Sequence, residues 1–186
     1  MPQYKYGKQT KPIDFSAFEQ MMKKLDSSLR PLRDKSFLAF LYWFGVRRAE
    51  LLERVRGDFT VKEGRLIVEA TPKKHGKRPP LEIDMDLPYV DLIARQVEET
   101  RPGCRVWPIS APTAWRIVKR VSETHYPHFF RLNRATRFLD DPSTTIPEMK
   151  AWFGWKTTKT IDDYVGYSKR HIRRQSSRLR RELREG

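Results

Sequence analysis

The sequence predicts a mostly α-helical domain with one small antiparallel β-sheet, an α+β fold. Apolar residues recur at helical spacing before residue 45 and again after residue 88. Between these regions, short alternating segments are separated by turn residues, as in antiparallel strands. The chain has 186 residues, 38% of them hydrophobic and 12% aromatic, which is enough to fill one substantial core.

The first helix is predicted to begin at Phe15. Phe15, Phe18, Met22 and Leu25 share one helical face, and Asp14 precedes them in the position of an N-cap. Further helices are expected over 34–44, 88–100, 111–123, 127–139, 145–154 and 158–167. Proline-containing connectors separate the later helices.

Three short strands are expected from the segments "DFTVKEG", "RLIVEAT" and "LEIDMDL" within residues 58–87. The basic segment "TPKKHGKRPPLEI", residues 71–83, begins at the end of the second strand and runs into the third. It is predicted to contain a turn, and basic turns are usually solvated hairpin tips. By itself this segment therefore indicates no function.

Composition divides the chain into three segments. Residues 1–12 are polar, lack hydrophobic periodicity and are expected to form a flexible leader or the end of a linker, while residues 13–168 contain the predicted domain. Residues 169–186 carry eight Lys or Arg against two Glu and are expected to form a basic C-terminal helix or tail. The apolar residues of this segment are Ile172, Leu179 and Leu183. So narrow a stripe suits a docking helix better than a core helix.

The formal charge of +15 predicts a polyanionic partner. Lys and Arg number 38 against 23 Asp and Glu, and the positive residues recur along the whole chain. Ribosomal, nucleoid and DNA-processing proteins all have such a charge, and so does a surface charged only for solubility. Charge alone therefore predicts the partner without selecting an activity.

Membrane insertion and metal chemistry are not expected. The longest apolar run, at 37–46, has about half the length of a bilayer-spanning helix, and no signal-peptide pattern opens the chain, so we expect a cytoplasmic protein. Cys104 is the single cysteine, and the four histidines lack the spacing of metal ligands. No metal and no other cofactor are expected.

Two motifs place arginines where they could bind a phosphate. Gly45, Arg47 and Glu50 form the pattern G-x-R-x-x-E, with Arg47 and Glu50 on one helical face. His128 and Arg131 lie three residues apart at a predicted helix start. Taken singly, Arg47 and Glu50 are an ordinary surface ion pair, and His128 with Arg131 is a common pattern at a helix start.

A third motif is "FGWKTTKTIDDYVGY", residues 153–167, which contains Tyr164 and Tyr167. A tyrosine is usually a packing residue, because its ring buries a large apolar area while its hydroxyl keeps a polar partner. Here the motif follows the two arginine motifs and the basic turn in the chain, so the four are considered together.

Together these motifs resemble the catalytic domain of the tyrosine recombinases, the phage integrase family, over about residues 13–170. In that family G-x-R-x-x-E-L, a turn lysine and H-x-x-R are followed by a glycine, a His or Trp, and a nucleophilic tyrosine ten residues after the glycine. Here Trp155 follows Gly154, and Tyr164 lies ten residues beyond Gly154 and 33 beyond Arg131. The wording "PHFFR" and "FGWK" is more similar to archaeal and archaeal-virus integrases than to bacterial ones.

The resemblance implies a site-specific recombinase in which Tyr164 forms a 3′-phosphotyrosyl DNA intermediate without ATP or metal. Arg47 and Arg131 suit phosphate binding, because guanidinium forks match phosphate oxygens bidentately. The other implied roles are hydrogen bonding to the phosphate by Trp155, protonation of the leaving 5′ oxygen by Lys74, proton transfer by His128 and orientation of these side chains by Glu50. Lys73 and Lys77 remain alternatives to Lys74, and Tyr167 is assigned to packing.

Double-stranded DNA is the expected partner, with self-association on DNA through the C-terminal segment. DNA contacts are expected from Lys73, Lys77, Arg134 and Lys156. If a virus encodes the protein, the expected location is the cytoplasm of its host.

The sequence departs from the family pattern in two respects. Leu132 stands where most members have a second histidine. Members normally carry a separate N-terminal DNA-clamping domain, so this chain is expected to be either a catalytic fragment or a naturally minimal protein. Two other functions stay open: a type IB topoisomerase, which shares this fold and chemistry, and a basic DNA-binding or nucleoid protein without catalysis.

Overall fold

The computed structural model describes residues 13–69, 79–159 and 161. This part of the chain confirms the predicted fold, which is mostly helical with a small antiparallel sheet. The helices are α1 Phe15–Lys24, α2 Pro31–Phe44, α3 Arg48–Leu52, α4 Val90–Glu98, α5 Ala111–Val121, α6 Pro127–Asp140 and α7 Ile146–Phe153. The strands are β1 Phe59–Lys62, β2 Arg65–Val68 and β3 Leu81–Asp84. The predicted leader, most of the predicted helix 158–167 and the basic C-terminal segment lie outside the described residues.

Local signals in the sequence explain where the first two helices begin. Asp14 caps α1 as predicted, because its carboxylate accepts a hydrogen bond of 2.8 Å from the amide of Ala17. Helix α2 begins at Pro31, three residues before the predicted start, because proline is favoured in the first turn of a helix. It ends at Gly45, whose φ of +59° is the left-handed conformation that glycine adopts without steric cost.

Helix α2 lies at the centre of the core. Every residue from Phe37 to Phe44 is buried, because α2 packs against both α4 and α6. The Phe40 ring lies 5.1 Å from the Trp107 ring and 5.9 Å from the Phe59 ring, which links the helix to the sheet. Although α2 is strongly apolar, no helix among the described residues has the length and apolarity needed to cross a bilayer.

The three strands form one antiparallel sheet in the order β1-β2-β3. Val68 of β2 pairs with Phe59 of β1 and with Leu81 of β3. The buried residues of β2 and β3 are Leu66, Val68, Leu81 and Ile83. This alternation follows the two-residue period of a strand with one face on the core, and the three predicted antiparallel strands are confirmed.

The start of the described chain is tied to α6. The amide of Ile13 donates to Asn133 Oδ1 and its carbonyl oxygen accepts from Asn133 Nδ2, both at 3.0 Å. Arg137 Nη2 donates to the same carbonyl oxygen at 2.9 Å. The chain therefore enters the domain against the helix that carries His128 and Arg131.

Candidate active site

Arg47 lies at the entrance to α3, directly after the end of α2. Its amide donates to Glu50 Oε2 at 3.3 Å, and its Nη1 donates to Glu50 Oε1 at 2.7 Å. The second contact holds the guanidinium of Arg47 against Glu50, while 46% of the Arg47 side chain stays exposed. Arg47 can therefore meet a ligand from solvent without first being oriented.

Arg131, on α6, is by contrast only 1% exposed. Its Nη1 donates to the carbonyl oxygen of Gly45 at 3.3 Å, and its Nη2 donates to that of Phe153 at 2.9 Å. These carbonyls lie at the C-terminal ends of α2 and α7, where the helix dipole is negative and favours a cation. The guanidinium also lies 4.8 Å from the centroid of the Phe153 ring. Arg131 is thus held by backbone atoms of two helices and by an aromatic ring.

Trp155 lies beside Arg131 because α7 ends in a tight turn. Gly154 adopts φ +64° and terminates the helix, and the amide of Trp155 donates back to the carbonyl oxygen of Lys150 at 3.0 Å. The Trp155 ring is 6% exposed, stacks on the Phe153 ring at 4.6 Å and lies 5.7 Å from the Arg131 guanidinium.

The positive charges of Arg47 and Arg131 perturb two titratable neighbours. Burial by itself raises the pKa of Glu50, but the hydrogen bond from Arg47 and the charges of Arg131 and Arg47 outweigh it, so the pKa of this carboxyl lies below its usual value. Burial, together with the charges of Arg131 and Arg47, lowers the pKa of half-buried His128. At neutral pH Glu50 is therefore ionised and His128 is neutral.

The structure brings five of the residues predicted for the site into one neighbourhood: Arg47, Glu50, His128, Arg131 and Trp155. They come from the start of α3, from α6 and from the turn after α7. The predicted nucleophile Tyr164 and the turn lysines Lys73, Lys74 and Lys77 lie outside the described residues. Ile161, three residues before Tyr164, is buried in the core.

The two described residues that the sequence predicts to contact DNA occupy different environments. Lys156 is exposed directly after Trp155. The guanidinium of Arg134 instead lies 4.8 Å from the Phe138 ring and 5.5 Å from the Trp152 ring, and its Nε is inaccessible to solvent. The Arg134 side chain is half-buried and packs against these rings, and its contact with DNA stays a prediction.

Sequence reasoning missed Arg54, a buried arginine between α3 and the sheet. Its Nη1 donates to the carbonyl oxygen of Glu69 and lies 3.9 Å from Asp58 Oδ2. Burial lowers the pKa of Arg54, and the charge of Asp58 partly offsets that effect. No sequence signal separates Arg54 from the exposed charges around it in "ELLERVRGD".

A basic groove of about 430 Å³ also escaped the sequence analysis. It is lined by Arg48, Ala111, Pro112, Trp115 and Arg116. Trp115 is 45% exposed, and Lys119 Nζ lies 5.3 Å from its ring. A helical wheel of α5 contains the missing signal, because Trp115 falls off the buried stripe of Ala114, Ile117, Val118 and Val121. Arg48 of the groove is the chain neighbour of Arg47, so the groove and the candidate site both include a residue from the start of α3.

The described residues contain no cluster of metal ligands. Within residues 13–69 and 79–159, no three His, Cys, Asp or Glu side chains lie close enough together to hold an ion. The positive charge of the candidate site comes from Arg47 and Arg131, whose guanidinium groups suit an anion.

The sequence is similar to a recombinase of known function. It is 29% identical over 148 residues to the tyrosine recombinase XerD of Chlorobaculum tepidum, a match that covers 66% of this chain and 47% of that protein. The chain thus spans about half the length of this relative. No family model matches the sequence.

Solved structures of recombinases share the fold. The post-cleavage complex of XerH site-specific recombinase with palindromic difH substrate has a TM-score of 0.69 at 16% identity, covering 88% of this chain and 52% of that chain. The pre-cleavage complex of XerH with difH substrate matches with a TM-score of 0.67 at 15% identity. This match covers 84% of this chain and 50% of that chain. The structure of XerA recombinase matches with a TM-score of 0.66 at 16% identity. This match covers 92% of this chain and 66% of that chain.

These comparisons confirm the family resemblance and the fold expected from the motifs. The chain is similar in sequence to a tyrosine recombinase and has the fold of the tyrosine recombinase catalytic domain. The closer likeness to archaeal integrases stays a prediction.

Proposed function

We propose that this chain, which has the fold of the tyrosine recombinase catalytic domain, is a site-specific DNA recombinase that uses Tyr164 as its nucleophile. The observation that carries the proposal is the convergence of Arg47, His128, Arg131 and Trp155 on one neighbourhood of the fold. Chance similarity to one motif does not explain four side chains from three separate segments meeting there. The match to XerD over 148 residues supports the same activity.

The two arginines would bind one phosphodiester. Arg47 approaches from the exposed side and Arg131 from the buried side, so their forks enclose the phosphate oxygens. Negative charge builds on those oxygens as phosphorus becomes pentacoordinate. The two guanidinium groups would stabilise this transition state more than the ground state, because both are fixed before the reaction begins. Trp155 is proposed to contribute its indole N–H as a further donor.

Proton transfer is proposed to divide between His128 and Lys74. Neutral His128 accepts the phenolic proton while the oxygen of Tyr164 attacks phosphorus. The bond from phosphorus to the 5′ oxygen breaks, and Lys74 protonates that oxygen. The products are a 3′-phosphotyrosyl strand end and a 5′ hydroxyl. Attack by a 5′ hydroxyl reverses these steps and rejoins the strand, so bond energy is conserved and neither ATP nor metal is needed.

The groove lined by Arg48, Trp115 and Arg116 is proposed to bind the duplex beside the reacting phosphate. Its cations would contact backbone phosphates, and the exposed Trp115 ring would pack against a sugar or base. Lys73, Lys77 and Lys156 are proposed to add contacts to the backbone. The proposed substrate is therefore double-stranded DNA, and the proposed location is the cytoplasm.

The test uses a library of nicked duplexes of random sequence, because the target sequence is unknown. Cleavage a few nucleotides from a nick in the same strand releases a short fragment with a 5′ hydroxyl, so the strand cannot be rejoined and the covalent intermediate is trapped. We expect a protein–DNA adduct that survives denaturation, that is lost in Tyr164→Phe and that is retained in the matched variant Tyr167→Phe. An adduct in Tyr164→Phe would reject Tyr164 as the nucleophile, and no adduct with the unaltered protein would reject the proposed function. The sequence recovered from the adduct is called the selected duplex below.

A further inference from the structure

Trp152 joins the ends of two helices beside Arg131. Its Nε1 donates to the carbonyl oxygen of Phe44 at 2.9 Å, and its ring stacks on the Phe44 ring at 6.2 Å with an interplanar angle of 17°. Phe44 is the last residue of α2, and Trp152 is the penultimate residue of α7. One side chain therefore ties the C-terminal end of α7 to that of α2.

The two residues that Trp152 connects are chain neighbours of the two that hold Arg131. Phe44 precedes Gly45, whose carbonyl oxygen accepts from Arg131 Nη1 at 3.3 Å. Trp152 precedes Phe153, whose carbonyl oxygen accepts from Arg131 Nη2 at 2.9 Å. A change in the spacing of Phe44 and Trp152 would move both acceptors, and the guanidinium would move with them.

Arg134 also packs against the Trp152 ring. Its guanidinium lies 5.5 Å from that ring and 4.8 Å from the Phe138 ring, which itself lies 5.3 Å from Trp152. Burial lowers the pKa of Arg134 to about 10, and the nearby charge of Arg137 contributes to this shift. The guanidinium still carries its charge at neutral pH, so its attraction to the two rings persists there.

Close backbone packing leaves little slack in this arrangement. A Cβ placed on Gly45 would lie 2.6 Å from Arg134 Cβ and 3.4 Å from Phe153 Cε1. Helices α2, α6 and α7 therefore meet at van der Waals distance, and a shift of one is transmitted to the others.

We propose that Trp152, held in place by Arg134, is a positioning residue for Arg131. The indole sets the separation of the Gly45 and Phe153 carbonyls and so fixes the direction in which Arg131 presents its guanidinium. The inference rests on the proposed function, since Arg131 is taken to bind the reacting phosphate. Loss of the indole N–H should then slow strand cleavage more than it weakens DNA binding.

The test compares Trp152→Phe with Trp43→Phe. Both tryptophans donate an indole N–H to a backbone carbonyl at 2.9 Å, but Trp43 donates to Pro88, two residues before α4, which is not a neighbour of either carbonyl that holds Arg131. Cleavage is measured in a single turnover at saturating selected duplex, and the dissociation constant and melting temperature are measured separately. We expect Trp152→Phe to slow cleavage at least tenfold with the dissociation constant within twofold, and Trp43→Phe to leave cleavage within twofold.

Arg134→Met supplies a second variant, because it keeps most of the aliphatic stem and removes the cation. Arg134→Met should also slow cleavage. If Trp152→Phe fails to fold, Arg134→Met still tests whether the contact between Arg134 and Trp152 positions Arg131. Wild-type cleavage rates in folded variants at both positions would overturn the inference and leave the proposed function standing. Failure of both variants to fold would also overturn it, since the contact would then stabilise the whole domain. Absence of cleavage by the unaltered protein would instead reject the proposed function.

Discussion

Arg47 and Arg131 are proposed to bind the same phosphate from opposite environments, so their substitution should have different effects on stability. Arg131→Ala empties a buried site and leaves the carbonyls of Gly45 and Phe153 without a donor, so it should lower both the melting temperature and the cleavage rate. Arg47→Ala removes a half-exposed side chain and should lower only the cleavage rate. A contact of this kind is typically worth about 3 kcal/mol in the transition state, or two to three orders of magnitude in rate.

Single-turnover cleavage of the selected duplex and thermal unfolding check these two variants together. Near-normal cleavage in either variant would reject its role at the phosphate. Equal loss of melting temperature in both would contradict the difference in burial.

His128 should make stability depend on pH. Burial and the charges of Arg131 and Arg47 hold its pKa in the folded state below the ordinary value of 6.5. The unfolded chain therefore binds more protons between these two pKa values, and the free energy of unfolding falls as pH is lowered through that window. Above pH 6.5 the contribution is fully present.

Urea unfolding between pH 5 and pH 7 tests this sign. The unaltered protein should lose more stability on acidification than His128→Gln, which cannot titrate. Parallel pH profiles for the two proteins would show that the pKa of His128 is not lowered by folding.

Gly45 should tolerate alanine less well than Gly64. Both adopt a left-handed conformation, with φ +59° and +72°, which costs an alanine about 1 to 2 kcal/mol. A Cβ at Gly64 meets nothing within 4 Å, whereas at Gly45 it would collide with Arg134 Cβ. Denaturant unfolding should show a loss in Gly45→Ala that exceeds that in Gly64→Ala by at least about 1 kcal/mol. Equal losses would mean that α2 and α6 are not in close contact at this point.

At the scale of elements, α5 should contribute to DNA binding through the face that carries Trp115 and Arg116. Replacing an arginine that contacts a phosphate lowers the slope of log affinity against log salt by about one. Arg116→Ala should show this change, and Arg95→Ala, an exposed arginine on α4, should not. Fluorescence anisotropy with the selected duplex at several salt concentrations measures both. Identical slopes for Arg116→Ala and the unaltered protein would remove the α5 groove from the proposed interface.

The bounds of helices with one apolar face could be predicted from the sequence more accurately than the bounds of the buried helix α2 or the short helix α3. The stripe on α1 gave its start at Phe15, and the stripe on α5 gave a predicted helix, 111–123, whose end lies two residues beyond the observed one. Helix α2 is buried all round, so its pattern has no period, and its start depended on Pro31. The five-residue helix α3 was not predicted as a separate element, because one and a half turns leave no measurable period.

The candidate site was partly predictable for the same reason. Spacing along a helix placed Arg47 with Glu50 and His128 with Arg131, since residues three apart share a face. Spacing could not distinguish Arg131 from Arg134, which lie on similar faces of α6. The environment of each guanidinium depends on α7, which supplies a carbonyl to the first and the Trp152 ring to the second.

At the scale of the whole molecule, residues 171–186 are proposed to dock on a neighbouring protomer when both are bound to DNA. Three apolar residues bury too little area to hold such a helix strongly, so binding should depend on the high local concentration that DNA provides. Deletion of 171–186 should abolish assembly and recombination on DNA while some single-strand cleavage remains.

Native gel electrophoresis at saturating selected duplex separates this outcome from its rival. If the segment only holds phosphates through its arginines, the deletion should weaken DNA binding and lower its salt slope while assembly at saturation is unchanged. That result would end the proposal of docking between protomers.

The most direct test of the central claim is to identify the bond between protein and DNA. The adduct formed on the selected duplex is digested with a protease and a nuclease, and the modified peptide is sequenced by mass spectrometry. The account predicts a nucleotide joined through its 3′ phosphate to the side chain of Tyr164, with a free 5′ hydroxyl on the released strand. Linkage through a 5′ phosphate, or to any residue other than Tyr164, would contradict it.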